Sequence, residues 1–499
     1  MKQALLSVHD KTGLVEFARE LNQLNWTLLA TGSTAKLLME NKIPVTEISS
    51  YTGQPEILNG RVKTLHPAIH GGILARDNAD DLQTLQQYHW NYIDLVVVNL
   101  YPFEQVTAKK DCTLEEAIEN IDIGGVTLIR AAAKNNERVT VVCDPTDYSM
   151  IINELQQGEI KSTTRKQLAI KGFAITSHYD SAITHYLSPE KPVQLNLYPI
   201  QTLRYGENPH QQATLYGYTP NAGPLGGKLL QGKTLSYNNL LDLDAAWKTV
   251  CSFSTPTIAI VKHLSPCGVA SSEKIKDAFI AALASDPISA FGGIIASNKE
   301  IDIETADAFG NLFIECIIAP QFSDEALNLL SKRTNCRLVV MPNLSIEPPE
   351  EWRSINQGML LQSVDIDETT EMDWQIVSER QPTADEWTAL QFAWRACQHV
   401  KSNAIVFAQG TATVGIGGGQ PNRIDCVHIA AKHAGEKAKG AAMASDAFFP
   451  FKDAVEEAAK VGISAIIQPG GSIRDEEVIS AANKANIAMV VTGIRHFRH

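Results

Sequence analysis

Short apolar runs alternate with helical periods along the N-terminal part of the chain. Gln3 to Val8 and Trp26 to Ala30 read as buried strands. Between them Leu14, Phe17, Ala18, Leu21 and Leu24 recur at the spacing of one helix face. Thr31-Gly32-Ser33-Thr34 follows the second strand and leads into a helix through Leu37 and Leu38. Asp94 to Val98 and Arg138 to Val142 read as further buried strands, and Thr113 with Glu116 matches a capping box that opens a helix between them. Repeated β-α alternation of this kind predicts a parallel sheet covered on both faces.

The pattern lapses at Ser188-Pro189-Glu190-Lys191-Pro192, and Pro199 follows. Proline clusters of this kind mark linkers, so the chain is expected to divide into a domain over 1–195 and a second part over 196–499. A weaker break at Glu347-Pro348-Pro349-Glu350-Glu351 splits the second part near 345–355. Each half carries an apolar strand running into a polar loop, Ala259 to His263 and Ala404 to Ala408, which suggests a duplication.

Composition narrows the classes. The 499 residues are 44% hydrophobic and 20% charged, enough for two or more domains with ample core. A net charge of -13 argues against a nucleic-acid binder, so any phosphate site must be a local cluster of donors. The eight cysteines are scattered with no C-x-x-C pair, which suggests neither structural zinc nor a disulfide framework and fits a reducing cytosol. The apolar run after Met1 is too short for a signal peptide, and no stretch is long enough to span a bilayer. A cytoplasmic protein without a membrane partner is expected.

The densest chemistry lies at Lys262-His263-Leu264-Ser265-Pro266-Cys267-Gly268, directly after the apolar run Thr257 to Val261. Pro266 and Gly268 are expected to stop the strand and force a turn, which delivers a Lys-His pair at a strand end. An ammonium beside an imidazole disfavours a second positive charge and leaves the His able to accept a proton. The Lys can stabilise a developing oxyanion. A snorkelling Lys beside a hydrogen-bonded His would look the same in isolation.

Two strand-to-helix turns in the first part offer a phosphate cradle: Ser7 with Lys11, and Thr31-Gly32-Ser33-Thr34. Simple helix capping is the alternative. Arg61-Val62-Lys63-Thr64 adds two cations. Asn99 and Tyr101 end the Val-rich strand. Asp122 precedes a Gly pair, and Lys134 follows Ala131-Ala132-Ala133, so that a buried Asp122–Lys134 salt bridge is also open. A cationic activator, a phenol, a carboxylate and a phosphate cradle together suit an intramolecular dehydrating ring closure, where holding the reactive conformer does much of the work.

These motifs carry a resemblance. Ser7 to Gly13, Arg61 to Pro67, Asn99 to Phe103, Ile121 to Gly125 and Ala131 to Asn135 resemble the cyclohydrolase half of a bifunctional purine biosynthesis family. Leu203 to His210, Lys262 to Gly268, Ala290 to Gly293 and Ser445 to Phe451 resemble its transformylase half. The family combines phosphoribosylaminoimidazolecarboxamide formyltransferase with inosine monophosphate cyclohydrolase. The resemblance implies an α/β chain: a methylglyoxal-synthase-like parallel-sheet domain followed by two cytidine-deaminase-like subdomains. It implies a homodimer with transformylase sites shared between chains, 10-formyltetrahydrofolate as co-substrate, no zinc, and room for a monovalent cation such as potassium. By the same resemblance His263 takes the proton of the ribotide amine, while Lys262 and Asn403 stabilise the oxyanion or protonate the folate nitrogen. Arg204, Tyr205, Asn239, Arg423 and Arg495 hold the ribotide, and Phe291, Gly292 and Asp446 line the folate and carboxamide region. In the first domain Ser7, Lys11, Thr31, Gly32, Ser33, Thr34, Arg61, Thr64 and Asn99 bind nucleotide, and Lys63, Tyr101, Asp122 and Lys134 close the ring.

Two departures stand out. His9 occupies a position usually held by Ser, and Pro421-Asn422 is unusual before Arg423. Two rivals differ in class. A zinc deaminase needs H-x-E and P-C-x-x-C, but Ser265 follows His263 by two and Ala270 stands at the second Cys. The other rival is a nucleotide-sensing module fused to a deaminase-like enzyme, which would bind nucleotide without consuming it.

Overall fold

The computed structural model describes every residue except 1, 59–60, 191, 194 and 366–373. The described residues form two compact units, Met1–Leu195 and Asn196–His499.

In the first unit the apolar runs become β1 (Gln3–Ser7), β2 (Thr27–Ala30), β3 (Thr46–Glu47), β4 (Leu95–Val98) and β5 (Thr140–Val142). They form a five-stranded, all-parallel sheet in the order β3-β2-β1-β4-β5. Leu5, Leu6, Val96 and Val97 are buried because helices cover both faces. The chain runs outward from β1 to β3 and then returns to the other side of β1 for β4. That reversal opens a crevice beyond the C-terminal ends of β1 and β4, the usual ligand position in such sheets. Thr113 and Glu116 close the expected capping box on the helix Leu114–Glu119.

The second unit begins with a ribbon of β6 (Tyr198–Thr202) and β7 (Thr214–Gly217). Its main body is a twelve-stranded mixed sheet. One half holds β8 (Lys228–Gln231), β9 (Thr257–Lys262), β10 (Ser265–Ser271), β11 (Gly293–Ser297), β12 (Ile314–Ala319) and β13 (Arg337–Val340). A separate hairpin, β14 (Glu350–Ile355) with β15 (Gly358–Ser363), stands between the halves in sequence. The other half holds β16 (Gln375–Ile376), β17 (Ala404–Gln409), β18 (Ala412–Gly418), β19 (Ala442–Ser445), β20 (Ala465–Gln468) and β21 (Ala488–Val491).

The two halves repeat one plan. A long helix (Tyr237–Cys251 or Ala384–Cys397) precedes an antiparallel hairpin, and helix-linked parallel strands follow. The strand orders β10-β9-β11-β12-β13 and β18-β17-β19-β20-β21 match, and β10 pairs with β18 to join them. The two apolar strands that suggested a duplication are the equivalent strands β9 and β17. The long helices share one core with the joined sheet, whereas each half keeps its own core on the opposite face.

Pro266 and Gly268 do not form the turn. The turn is the two-residue link His263-Leu264, and Pro266 and Gly268 lie inside β10, with a register shift between them. A bulge is where a strand accepts proline. Gly268 is required by packing: a Cβ there would sit 2.0 Å from the carbonyl oxygen of Ala282. Gly417 meets Cys426 at the same 2.0 Å in the other half. Gly268→Ala is therefore expected to destabilise the protein by roughly 1–3 kcal/mol or more through overpacking, read as a lower urea midpoint.

Candidate functional site

The first site is the crevice at the reversal of the parallel sheet, a cavity of about 540 Å³. Ser7, Lys11, Thr31, Gly32, Ser33, Thr34, Arg61, Lys63, Thr64, Asn99, Tyr101 and Asp122 all line it. Thr31 is the N-cap of the helix Gly32–Glu40 and donates its hydroxyl to Ser7 Oγ (3.0 Å). Thr34 Oγ1 accepts the Val8 N–H (3.3 Å) and donates to the Val8 carbonyl (3.2 Å). Asn99 crosses from β4 to β1: its Oδ1 accepts the N–H groups of His9 (2.6 Å) and Asp10 (3.0 Å), and its Nδ2 donates to the Asp10 carbonyl (2.9 Å). Thus Asn99 fixes the loop after β1 with its oxygen and one of its two amide hydrogens.

Lys63 Nζ lies 3.2 Å from Glu56 Oε2, and Arg61 pairs with Glu119. Both pairs are solvent-accessible, so each contributes at most about 1 kcal/mol and yields readily to a stronger anion. Asp122 is largely buried. Burial pushes its carboxyl above the ordinary range, opposed by hydrogen bonds from the backbone of Gly125 and Tyr101 and by the nearby His9. The Gly125 N–H donates to Asp122 Oδ1 (2.7 Å), and the Asp122 N–H donates to Tyr179 Oη (2.7 Å). Burial raises the Tyr179 phenol to about 12, so it stays protonated and donates in turn to the Asn120 carbonyl (3.1 Å). Tyr101 is exposed at the cavity mouth, with the His9 ring edge-on at 5.3 Å.

Lys134 is not brought to this cavity. It ends the helix Gly124–Lys134, whose N-terminal glycines line the wall, and ten residues of rise place it roughly 15 Å along the axis. The Asp122–Lys134 salt bridge does not form; the Asp122 carboxylate is held by the backbone instead.

The second site is a cavity of about 450 Å³ in the other unit, where its two halves meet. Lys262, His263, Ser265 and Cys267 line it from the β9–β10 hairpin, and Val400, Gly418, Gln420 and His433 line it from the second half. Lys262 Nζ donates to the Phe291 carbonyl (2.8 Å), which brings Lys262 and the Phe291-Gly292 loop together. The Phe291 side chain is exposed, with its ring 5.3 Å from that of Phe313. Burial pushes the Cys267 thiol to about 12, which makes it a poor nucleophile and a poor metal ligand. Among the described residues no group of three or more His, Cys, Asp or Glu side chains is arranged to hold a metal ion.

Half-buried Asn403 joins the buried Arg423 and Asp446 in one network. Arg423 donates to Asn403 Oδ1 (2.6 Å), to Ser445 Oγ (2.8 Å) and to the carboxylate of Asp446. Ser402 Oγ donates to the other Asp446 oxygen (2.5 Å). Asn403 Nδ2 donates to the carbonyls of Gln420 (2.8 Å) and Pro421 (3.0 Å). As placed, both amide hydrogens of Asn403 are committed, and an oxyanion must displace one of these bonds to reach it. Arg423 is likewise committed inward rather than presented as a phosphate fork, and Asp446 is fully buried. Asn422 accommodates the unusual Pro421-Asn422 pair by capping the helix Arg423–Ala434 through Ile424 N–H (3.2 Å). Removing one partner strands a buried charge, so Asp446→Ala is expected to cost about 3–5 kcal/mol of stability, measured by denaturant unfolding.

Of the expected transformylase residues only Lys262 and His263 line this cavity; Asn403, Arg423, Asp446, Phe291 and Gly292 lie outside the lining, as do Arg204, Tyr205, Asn239 and Arg495. Arg204 stacks over Tyr205 at 5.4 Å, and Asn239 closes a capping box with Ser236 on the helix Tyr237–Cys251. Arg495 stacks over Phe497 at 4.5 Å. The segment that carries Arg495 joins the buried network, since the His496 N–H donates to the Asp446 carbonyl (2.9 Å) and the Arg498 N–H to Ser402 Oγ (3.0 Å). Glu119, Tyr179 and Ser402 were not legible as site residues, because each acts on a partner far away in sequence.

Residues 132–433 match the family model of the AICARFT/IMPCHase bienzyme, and residues 13–127 match the MGS-like domain. The chain is 52% identical over 515 residues to the bifunctional purine biosynthesis protein PurH of Halalkalibacterium halodurans, covering 100% of both. It is 48% identical over 513 residues to PurH of Bacillus subtilis, again covering 100% of both. The crystal structure of ForH aligns with 37% of this chain and 97% of its own at 36% identity, with a TM-score of 0.34. The chain belongs to the AICARFT/IMPCHase bienzyme family.

Proposed function

We propose that the chain carries out two consecutive reactions of purine biosynthesis, each in its own unit. The second unit transfers a formyl group from 10-formyltetrahydrofolate to the amine of aminoimidazole carboxamide ribotide. The first closes that product to inosine monophosphate with loss of water. What supports the division is that Lys262 and His263 line a cavity in the second unit, while Lys63, Tyr101 and Asp122 line another in the first.

In formyl transfer the ribotide amine attacks the formyl carbon. His263 takes the amine proton, Lys262 faces the tetrahedral oxyanion or the leaving folate nitrogen, and the carbon–nitrogen bond to folate breaks. The amine is conjugated to a carboxamide and is a weak nucleophile, so removing its proton as the bond forms is the main task. The buried Arg423–Asp446 network positions Asn403 and its loop. Arg204, Tyr205, Asn239 and Arg495 complete the ribotide site in a homodimer whose transformylase sites draw on both chains.

In ring closure the carboxamide nitrogen attacks the formyl carbon of the same molecule. Lys63 polarises the formyl oxygen while the carboxamide proton passes through Asp122 to that oxygen. The formamide nitrogen then loses its proton as the C=N bond forms, and Tyr101 protonates the departing hydroxyl, which leaves as water. Ser7, Lys11 and the Thr31–Thr34 turn hold the phosphate at a helix N-terminus. A phosphate dianion draws Arg61 from Glu119, because that exposed pair is weak.

One assay tests the whole reading. With ribotide and 10-formyltetrahydrofolate supplied, tetrahydrofolate and inosine monophosphate are followed separately, and no formation of either product would refute it. Sedimentation tests the homodimer, and activity in potassium-free buffer tests the monovalent cation.

A further inference from the structure

His263 and Leu264 form the entire link between β9 and β10, and both have positive φ, at 53° and 64°. A two-residue hairpin link with both residues left-handed suits the twist of its strands, and Asn-Gly is its favoured sequence. This chain places a His and a Leu there. Leucine in that region is a conformational outlier, and the cost is roughly 1–2 kcal/mol per residue. Something outside the turn must offset it.

The side chain of Asp242 does so. It projects from the helix Tyr237–Cys251, and its carboxylate accepts two consecutive turn N–H groups: Leu264 at 2.7 Å through Oδ1 and His263 at 3.3 Å through Oδ2. On the far side of the turn Lys262 is held by the Phe291 carbonyl at 2.8 Å. Asp242 is not among the residues that line the cavity.

We propose that Asp242 is a positioning residue for formyl transfer: its carboxylate clamps the left-handed His263-Leu264 turn and so aims the His263 imidazole into the cavity. This rests on the reading of His263 as the proton acceptor. The clamp is anionic because an ionised carboxylate presents two acceptors and no donor, matching two adjacent N–H groups. A shift of about 1 Å in a reacting group is enough to lower a rate by about a hundredfold.

Kinetics of five variants, run beside wild type, test the clamp. Asp242→Ala is expected to lower kcat for formyl transfer by about 10- to 100-fold. KM for ribotide and for folate should stay within about twofold, since Asp242 does not line the cavity, and ring closure should be unchanged. Asp242→Asn keeps one acceptor and should lose less, by about three- to tenfold. The decisive variant is Asp242→Ala with Leu264→Gly. Glycine adopts positive φ without strain, so the double variant should recover much of the lost kcat. A merely packing role for Asp242 would not be rescued in this way. The proposal is overturned if Asp242→Ala keeps kcat within threefold of wild type, or if glycine at 264 restores nothing. Should Asp242→Ala fail to fold, full activity of Asp242→Asn together with no gain from Leu264→Gly in that background overturns it equally. His263→Ala separates the two ideas: if it retains formyl transfer, the site reading itself is wrong, whereas an inactive His263→Ala beside an active Asp242→Ala sinks the clamp alone.

Discussion

His263→Ala is expected to reduce formyl transfer by about 10²- to 10⁴-fold, the range of a lost general base, while ring closure of supplied formyl ribotide continues at the wild-type rate. The imidazole stands on a hairpin turn at the cavity where the two halves of its unit meet. No backbone group and no cysteine there can replace it, since burial holds the Cys267 thiol near 12. His263 is exposed, so its loss leaves no buried gap, and the thermal midpoint should stay close to wild type. A formyl-transfer loss under tenfold would remove His263 from the mechanism. Loss of both activities in a folded protein would show that the two cavities do not work separately.

Lys63→Ala should give the opposite phenotype: ring closure falls by about 10²- to 10³-fold, as for loss of a group that stabilises developing charge, and tetrahydrofolate release persists. Asp122 adds a pH signature. Burial raises its carboxyl above the ordinary range, so the protonated form persists to higher pH than for an exposed aspartate. If Asp122 accepts the amide proton, ring closure rises with pH through that raised value, and Asp122→Asn abolishes the rise along with most of the rate. The stability linkage has the opposite slope. The folded state favours the neutral acid, so this stabilisation is present at low pH and is lost as pH rises through the raised value. A pH–rate profile and an unfolding series over the same range read the two effects independently. A rate profile with no rising limb would exclude Asp122 as the base.

The parts legible in the sequence were those written locally. Runs such as Leu95 to Val98 are apolar on both faces, so they could only be interior strands, and the capping box at Thr113 and Glu116 repeats a short spacing that the helix closes by itself. The turns at Ser7 and Thr31 were legible as strand-to-helix junctions, but helix capping favours the same residues, and only the fold brings both turns to one cavity. The turn at His263 was misplaced by a local rule. Pro266 and Gly268 punctuate most sequences as turns, but here a bulge admits the proline, and the glycine makes room for the Ala282 carbonyl of a helix packed from elsewhere. The resemblance puts Lys134 in the ring-closure set, whereas the helix Gly124–Lys134 carries it along its axis away from the cavity that its first glycines line.

By itself the sequence determined the alternation of strands and helices, the two chemical sets and the family they resemble, because burial periodicity and motif spacing are properties of neighbouring residues. Only the tertiary structure decided which charges answer which. Arg61 meets Glu119, Arg423 turns inward to Asp446, and Asp242 reaches the turn from a separate helix. These pairings join segments brought together by the packing of whole sheets and helices. A hydrogen bond acts over about 3 Å of space whatever the separation along the chain, so no local pattern encodes them.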